Sequence, residues 1–117
     1  MSEHDRVDTT PRDSGSGFRH HVLFWLKEPD NEQHRRQFLR ELRGMTKIEI
    51  IEEYSIGVPA GTPRDVVDNS WTFDWLLTFR DRDAWAVYND HPLHLEFIER
   101  AAHLWERVQI YDSVPAE

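Results

Sequence analysis

The chain has 117 residues, with 14 Lys and Arg against 22 Asp and Glu, giving a formal net charge of -8. That length suits one domain, and the acidic balance disfavours nucleic acid and anionic membranes, both of which select a positive patch. No cysteine is present, which excludes disulfides, thiolate metal sites and thiol nucleophiles.

Residues 1–17 carry Glu3, Asp5, Asp8 and Asp13, with Val7 the one large apolar side chain after Met1. Such a stretch cannot offset its own ordering entropy, so it is expected to be a disordered acidic tail. The folded domain is expected over 18–113, followed by a short tail at 114–117. Phe18 to Lys27 reads as the first strand. Alternation places Phe18, His20, Val22, Phe24 and Leu26 on one face, and His21, Leu23 and Trp25 on the other.

Glu28-Pro29 ends that strand, and Asp30 with Gln33 reads as a capping box. Phe38, Leu39, Leu42 and Met45 then recur at helical spacing, predicting an amphipathic helix over 31–43 stopped by Gly44. Lys47 to Gly57 reads as a second strand, with Ile50-Ile51 breaking its alternation as a bulge would. Residues 58–70 form a long connection, in which Thr62-Pro63-Arg64-Asp65 has the pattern of a single helical turn.

Trp71 to Phe79 is the third strand, with Trp71, Phe73, Trp75, Leu77 and Phe79 sharing one face. Asp81 or Asp83 caps a helix carrying Ala84, Trp85, Val87 and Tyr88. Pro92 interrupts it, since proline disfavours helix at the residue before it. A new helix carries Leu95, Phe97 and Ile98, and Leu104 to Asp112 is the fourth strand. The order strand, helix, strand, strand, broken helix, strand predicts an α+β fold: a ferredoxin-like, four-stranded antiparallel sheet with its helices on one face. The other face then holds Trp, Leu and Tyr side chains, which are costly to leave wet. Burial against a second copy answers this, so a homodimer with sheets face to face is expected.

The histidines are the chemistry-bearing residues. His4 and His34 read as solvated, and His103 sits where a helix dipole favours a cation. His91 and His94 flank Pro92 at a spacing that lets both share a helix face, but no HExxH pattern and no cysteine completes a metal site. No metal and no cofactor are expected. His91 reads as the cap of the new helix. A kink at Pro92 can turn Tyr88 and His94 toward one cavity, where an imidazole and a phenol can act as general base and oxyanion donor. A buried histidine bonded to Tyr88 for stability alone fits the same spacing.

The strand from His20 to Lys27, the segment Tyr88-Asn89-Asp90-His91-Pro92-Leu93-His94, and the closing Trp105-Glu106-Arg107 to Tyr111-Asp112 together resemble the stress-responsive α/β-barrel domain family, often called Dabb. The middle segment is similar to the family's Y-x-x-H-P-x-H, and the likeness covers about residues 18–113. It implies a dimeric α/β barrel of ferredoxin-like protomers. One plant polyketide cyclase of the family works without a cofactor, using a base that matches His94 and an assisting tyrosine that matches Tyr88, with a strand histidine matching His20 nearby. By that likeness His94, Tyr88 and His20 are catalytic candidates. Val22, Phe24, His91, Phe97 and Trp105 are the ligand-binding candidates. Three readings follow: a dimer binding a small apolar or aromatic molecule, a cofactor-independent cyclase-like enzyme with His94 as base and Tyr88 as oxyanion stabiliser, or a non-catalytic structural stress protein. A cavity reaching His94 and Tyr88 separates the first two from the third.

Overall fold

The computed structural model describes residues 9–15 and 17–117. Most of the expected acidic tail, residues 1–8 and 16, lies outside the described residues. The elements are β1 (Phe18–Leu26), α1 (Glu32–Gly44), β2 (Glu53–Gly57), β3 (Phe73–Phe79), α2 (Arg82–Asn89), α3 (Pro92–Ala101) and β4 (Trp105–Ser113), with short 3-10 turns at Met45–Lys47 and Ala102–Leu104. The strands form one sheet in the order β2-β3-β1-β4, and every neighbouring pair is antiparallel. This is the ferredoxin-like arrangement that the order of elements predicts. Among the described residues no helix is long and apolar enough to cross a membrane.

The side-chain alternation of the two central strands holds the layers together. Phe18, Val22, Phe24 and Leu26 of β1 and Phe73, Trp75, Leu77 and Phe79 of β3 are all buried under the helices. Phe38 and Leu42 of α1 and Phe97 and Ala101 of α3 close over them. An aromatic cluster fills one end of this core. The Phe38 and Phe73 rings stack at 5.4 Å, and Phe97 stacks on Trp105 at 5.6 Å.

The structure corrects four local expectations. The cap of α1 is Asn31, whose side chain accepts from His34 N at 3.1 Å. It displaces Asp30 because Asn31 N first closes a turn onto Glu28 O, moving the helix start one residue on. Gly44 does not stop α1. It is helical at φ -58, and the chain runs on into the 3-10 turn. β2 begins at Glu53 rather than Lys47, and Ile50-Ile51 is not a bulge. Ile48 N and Ile51 N are spent on turns to Met45 O and Ile48 O, so pairing with β3 starts only when Glu52 N reaches Thr78 O at 2.9 Å. No helical turn forms at Thr62–Asp65. Asn69 Nδ2 donates to Thr62 O, drawing the ends of that loop together, while Arg64 N turns back onto the same carbonyl.

The third strand begins two residues later than expected. Thr72 lies beside β1, with its hydroxyl accepting from Leu26 N at 3.0 Å and its own N–H donating to Phe24 O at 2.7 Å. The break before α3 is as predicted: His91 is extended at φ -65, ψ 137, and Pro92 occupies the first helical turn.

Candidate functional site

A cavity of about 280 Å³ lies between the sheet and the broken helix. Its floor follows from strand register. His20, Val22 and Phe24 of β1 stand opposite Asp112, Ile110 and Val108 of β4, and all six border the cavity. Alternate residues of a strand advance about 7 Å, so the floor changes from polar to apolar over roughly 13 Å. The roof repeats this gradient. Tyr88, Asn89 and His94 lie over the polar end, with Phe97, Ile98 and Trp105 also in the wall. An apolar cavity of about 150 Å³ holds a benzene molecule, so this one has room for a ring with a short substituent.

The kink at Pro92 sets the roof. His91 Nδ1 accepts from Leu93 N at 3.0 Å, capping α3. One turn on, His94 Nδ1 lies 2.9 Å from Asn89 O. A carbonyl only accepts, so Nδ1 carries the proton and Nε2 keeps its lone pair. Burial is the largest influence on His94 and lowers its pKa, against the opposing hydrogen bond to Asn89. Its ring lies 4.7 Å from that of Tyr88, centroid to centroid.

Tyr88 is 1% exposed. Its oxygen accepts from Trp75 Nε1 at 3.0 Å, and its own hydroxyl donates to Met45 Sδ at 3.8 Å. Burial pushes the phenol up to about 12, although the Trp75 bond opposes it. Tyr88 is therefore a protonated donor at neutral pH. A thioether is a weak acceptor, so turning that proton to a ligand oxygen sacrifices little.

His20 is 6% exposed. Its Nδ1 lies 2.5 Å from Asp112 Oδ1, and its ring is 5.8 Å from Tyr88. Asp112 is the residue that sequence reasoning missed. Alternation along β4 marks it as sharing a face with Ile110 and Val108, but the β1–β4 register is needed to set it beside His20.

The structure brings His20, Tyr88 and His94 together at one end of the cavity, with Val22, Phe24, Phe97 and Trp105 in its walls. His91 is not among the lining residues: its ring nitrogen is turned to the helix cap instead. Met45, Trp75, Trp85, Asn89 and Ile98 also border the space, and none was singled out from sequence as a site residue. Trp85 Nε1 is buried without a hydrogen-bond partner. Among the described residues no group of three or more His, Cys, Asp or Glu side chains is placed to hold a metal ion.

The family model of the Stress responsive A/B Barrel Domain, Dabb, matches residues 18–115. Among solved structures, a Dabb family protein with a ferredoxin-like fold from Mesorhizobium loti is 25% identical, with a TM-score of 0.73, over 87% of this chain and 99% of its own. A dimeric ferredoxin-like protein of unknown function from Thermobifida fusca is 19% identical, with a TM-score of 0.70, over 91% of this chain and 97% of its own. Hydroxynitrile lyase from Passiflora edulis is 17% identical, with a TM-score of 0.73, over 88% of this chain and 96% of its own. The last two are likenesses of fold alone. With the family model spanning nearly all of the described domain, the chain belongs to the stress-responsive A/B barrel domain family.

Proposed function

We propose that the protein is a homodimer that binds a small apolar or aromatic molecule in the cavity bordered by His20, Tyr88 and His94. The observation that carries this reading is the cavity itself: about 280 Å³, walled by aromatic and aliphatic side chains, with its hydrogen-bonding groups gathered at one end. Ligand sites are commonly built this way, with apolar walls for affinity and a few polar groups for orientation. A purely structural role calls for a packed interior, and the cavity argues against it. The dimer is supported by the side chains on the helix-free face of the sheet, and the Thermobifida fusca structure of the same fold is described as dimeric.

A second reading, cofactor-independent catalysis of the polyketide-cyclase type, is favoured by one specific observation. His94 uses Nδ1 on a backbone carbonyl, which leaves Nε2 as a base beside the Tyr88 phenol. In this reading His94 takes a proton and Tyr88 donates to the oxyanion that develops.

Calorimetric titration with 4-ethylphenol, a ring with a short tail and one hydroxyl, tests the binding reading. Saturable one-site binding is expected, and Val22→Phe, which fills the floor of the cavity, should abolish it. Equal binding by wild type and Val22→Phe would place the ligand elsewhere and defeat the reading.

A further inference from the structure

A polar pair in the middle of the helix-free face plays no part in the cavity. In the strand register His21 of β1 stands between Leu76 of β3 and Tyr111 of β4, and Asp74 of β3 stands opposite Leu23. His21 Nε2 lies 2.8 Å from Asp74 Oδ2. An ionised carboxylate only accepts, so Nε2 keeps its proton whether the ring is charged or not. Nδ1 bonds to no described residue, and it is the atom that gains or loses the titrating proton. In a single protomer water reaches the pair: the His21 side chain is 36% exposed and that of Asp74 17%. Leu23, Leu76 and Tyr111 border it on three sides, so a second copy that covers those side chains covers the pair as well.

No other cation replaces His21 beside Asp74. The remaining charged or titratable side chains of this face are Arg19 on β1, Glu53 on β2, and Arg107 and Tyr111 on β4. Arg19 donates to Ser113 Oγ and Val114 O, and Arg107 lies over the Trp25 ring. Glu53, opposite Thr78, adds like charge. Behind β1, on the cavity side, His20 is held by Asp112. Two-fold symmetry brings the same set of groups from the second copy.

We propose that the dimer is pH-sensitive: covering of the His21–Asp74 pair by the second copy drives a proton onto His21 Nδ1, so that association tightens as the pH falls through the imidazole range. This rests on the reading that a second copy covers the helix-free face. With His21 charged, the covered pair is neutral as a whole. With His21 uncharged, Asp74 is a covered carboxylate without a cation, which costs far more than the same charge in water. In the separate protomer water screens the difference. Protons and the second copy therefore favour each other's binding. Imidazole is the side chain that ordinarily changes charge between pH 5 and 8.

Sedimentation equilibrium of the full chain, in about 0.15 M salt, tests this. Between pH 8.5 and 5.5 the dissociation constant should fall about 100-fold, tenfold for each protomer. His21→Gln should flatten the dependence. Asp74→Asn should reverse it, because a covered imidazole without its carboxylate resists charging. A hydrogen bond of purely structural value would not turn the slope round. Repetition in about 1 M salt separates the pair from general repulsion between acidic protomers, since screening then acts within roughly 3 Å. The slope should persist, and a slope that vanishes there overturns the proposal. Histidine-ring NMR on unaltered protein covers the case of variants that fail to fold. The titration midpoint of His21 should lie about one pH unit higher in concentrated protein than in protein diluted below the dissociation constant, and an unmoved midpoint overturns the proposal. A wild-type dimer of constant affinity from pH 5.5 to 8.5 overturns it too and leaves the dimer reading standing. A monomer at every pH and concentration ends both.

Discussion

At the scale of single residues, the site depends on where each imidazole spends its Nδ1. His94 shows the consequence most directly, since burial is the largest influence on it and depresses its pKa below 6.5. A group with a depressed folded pKa binds fewer protons in the folded state than in the unfolded chain, so folding is penalised as the pH falls. The stability tied to neutral His94 is thus fully present above about 6.5 and is lost as the pH falls through the lower folded value. His94→Gln removes this dependence. The difference in melting temperature between wild type and His94→Gln should be constant at neutral and alkaline pH and should change in favour of the variant on acidification. A difference that stays flat through the acid range would show that His94 is solvated. The sequence made His94 and Tyr88 legible because Pro92 forces a kink between them, and a kink turns flanking side chains to one side. His91 was legible as a cap, while its family likeness placed it in the ligand site; Leu93 N claims its ring. Asp112 was not legible, because its role depends on the pairing of strands 92 residues apart. The void was expected from the kink and the family likeness, but its Met45, Trp75 and Trp85 walls were not legible, since they depend on how distant elements pack.

At the scale of elements, burial periodicity was the reliable guide and chain ends were not. β1 alternates buried and half-buried along its whole length, which is the period-two pattern written in FRHHVLFWL. Helix starts are decided by which side chain reaches the first free N–H groups, and neighbours compete for that position. Asp30 and Asn31 are both good caps by residue type. The turn from Glu28 O to Asn31 N decides between them, because it places the Asn31 side chain over His34 N. Asn31→Ala should therefore destabilise the domain by about 1 kcal/mol, the typical loss for a side-chain cap. Asp30→Ala should leave stability almost unchanged, as exposed substitutions away from such contacts shift it by less than about 0.5 kcal/mol. Urea unfolding of the two variants measures the difference, and an equal loss in both would return the cap to Asp30. The late start of β2 has the same kind of cause. Ile48, Ile50 and Ile51 are apolar enough for a strand, but Ile48 is buried in the core and its backbone is used in turns. Composition marks these residues as core without saying which backbone shape delivers them there.

At the scale of the whole molecule, the proposed dimer depends on the helix-free face of the sheet. Leu23 and Trp25 are half-buried on it, Leu76 is 36% exposed and Tyr111 is 61% exposed. The face is less uniformly apolar than the sequence pattern implied. His21 Nε2 lies 2.8 Å from Asp74 Oδ2 within it, and Gly57 makes room for that carboxylate, since a Cβ there would stand 2.6 Å from Asp74 Oδ1. Arg107 covers the Trp25 ring at 4.2 Å. Such a face is partly satisfied by its own polar pairs, and its apolar remainder of Leu23, Leu76 and Tyr111 is what a second copy would cover. The proposed dimer therefore turns on those few side chains, because a buried charge without a partner costs about 3–5 kcal/mol, far more than a surface charge. Leu23→Lys places an ammonium in the middle of the face, and two-fold symmetry places it there twice. Light scattering over a dilution series should find wild type dimeric, and Leu23→Lys should weaken association about 100-fold or more while the circular dichroism of the protomer is kept. The substitution lies on the opposite side of the sheet from the cavity, so a folded Leu23→Lys monomer should still bind 4-ethylphenol if each protomer carries a complete site. Wild type that scatters as a monomer at every concentration would remove the dimer and leave the cavity reading untouched. Binding lost together with association would mean that the second copy, through the sheet, holds the cavity in its open shape.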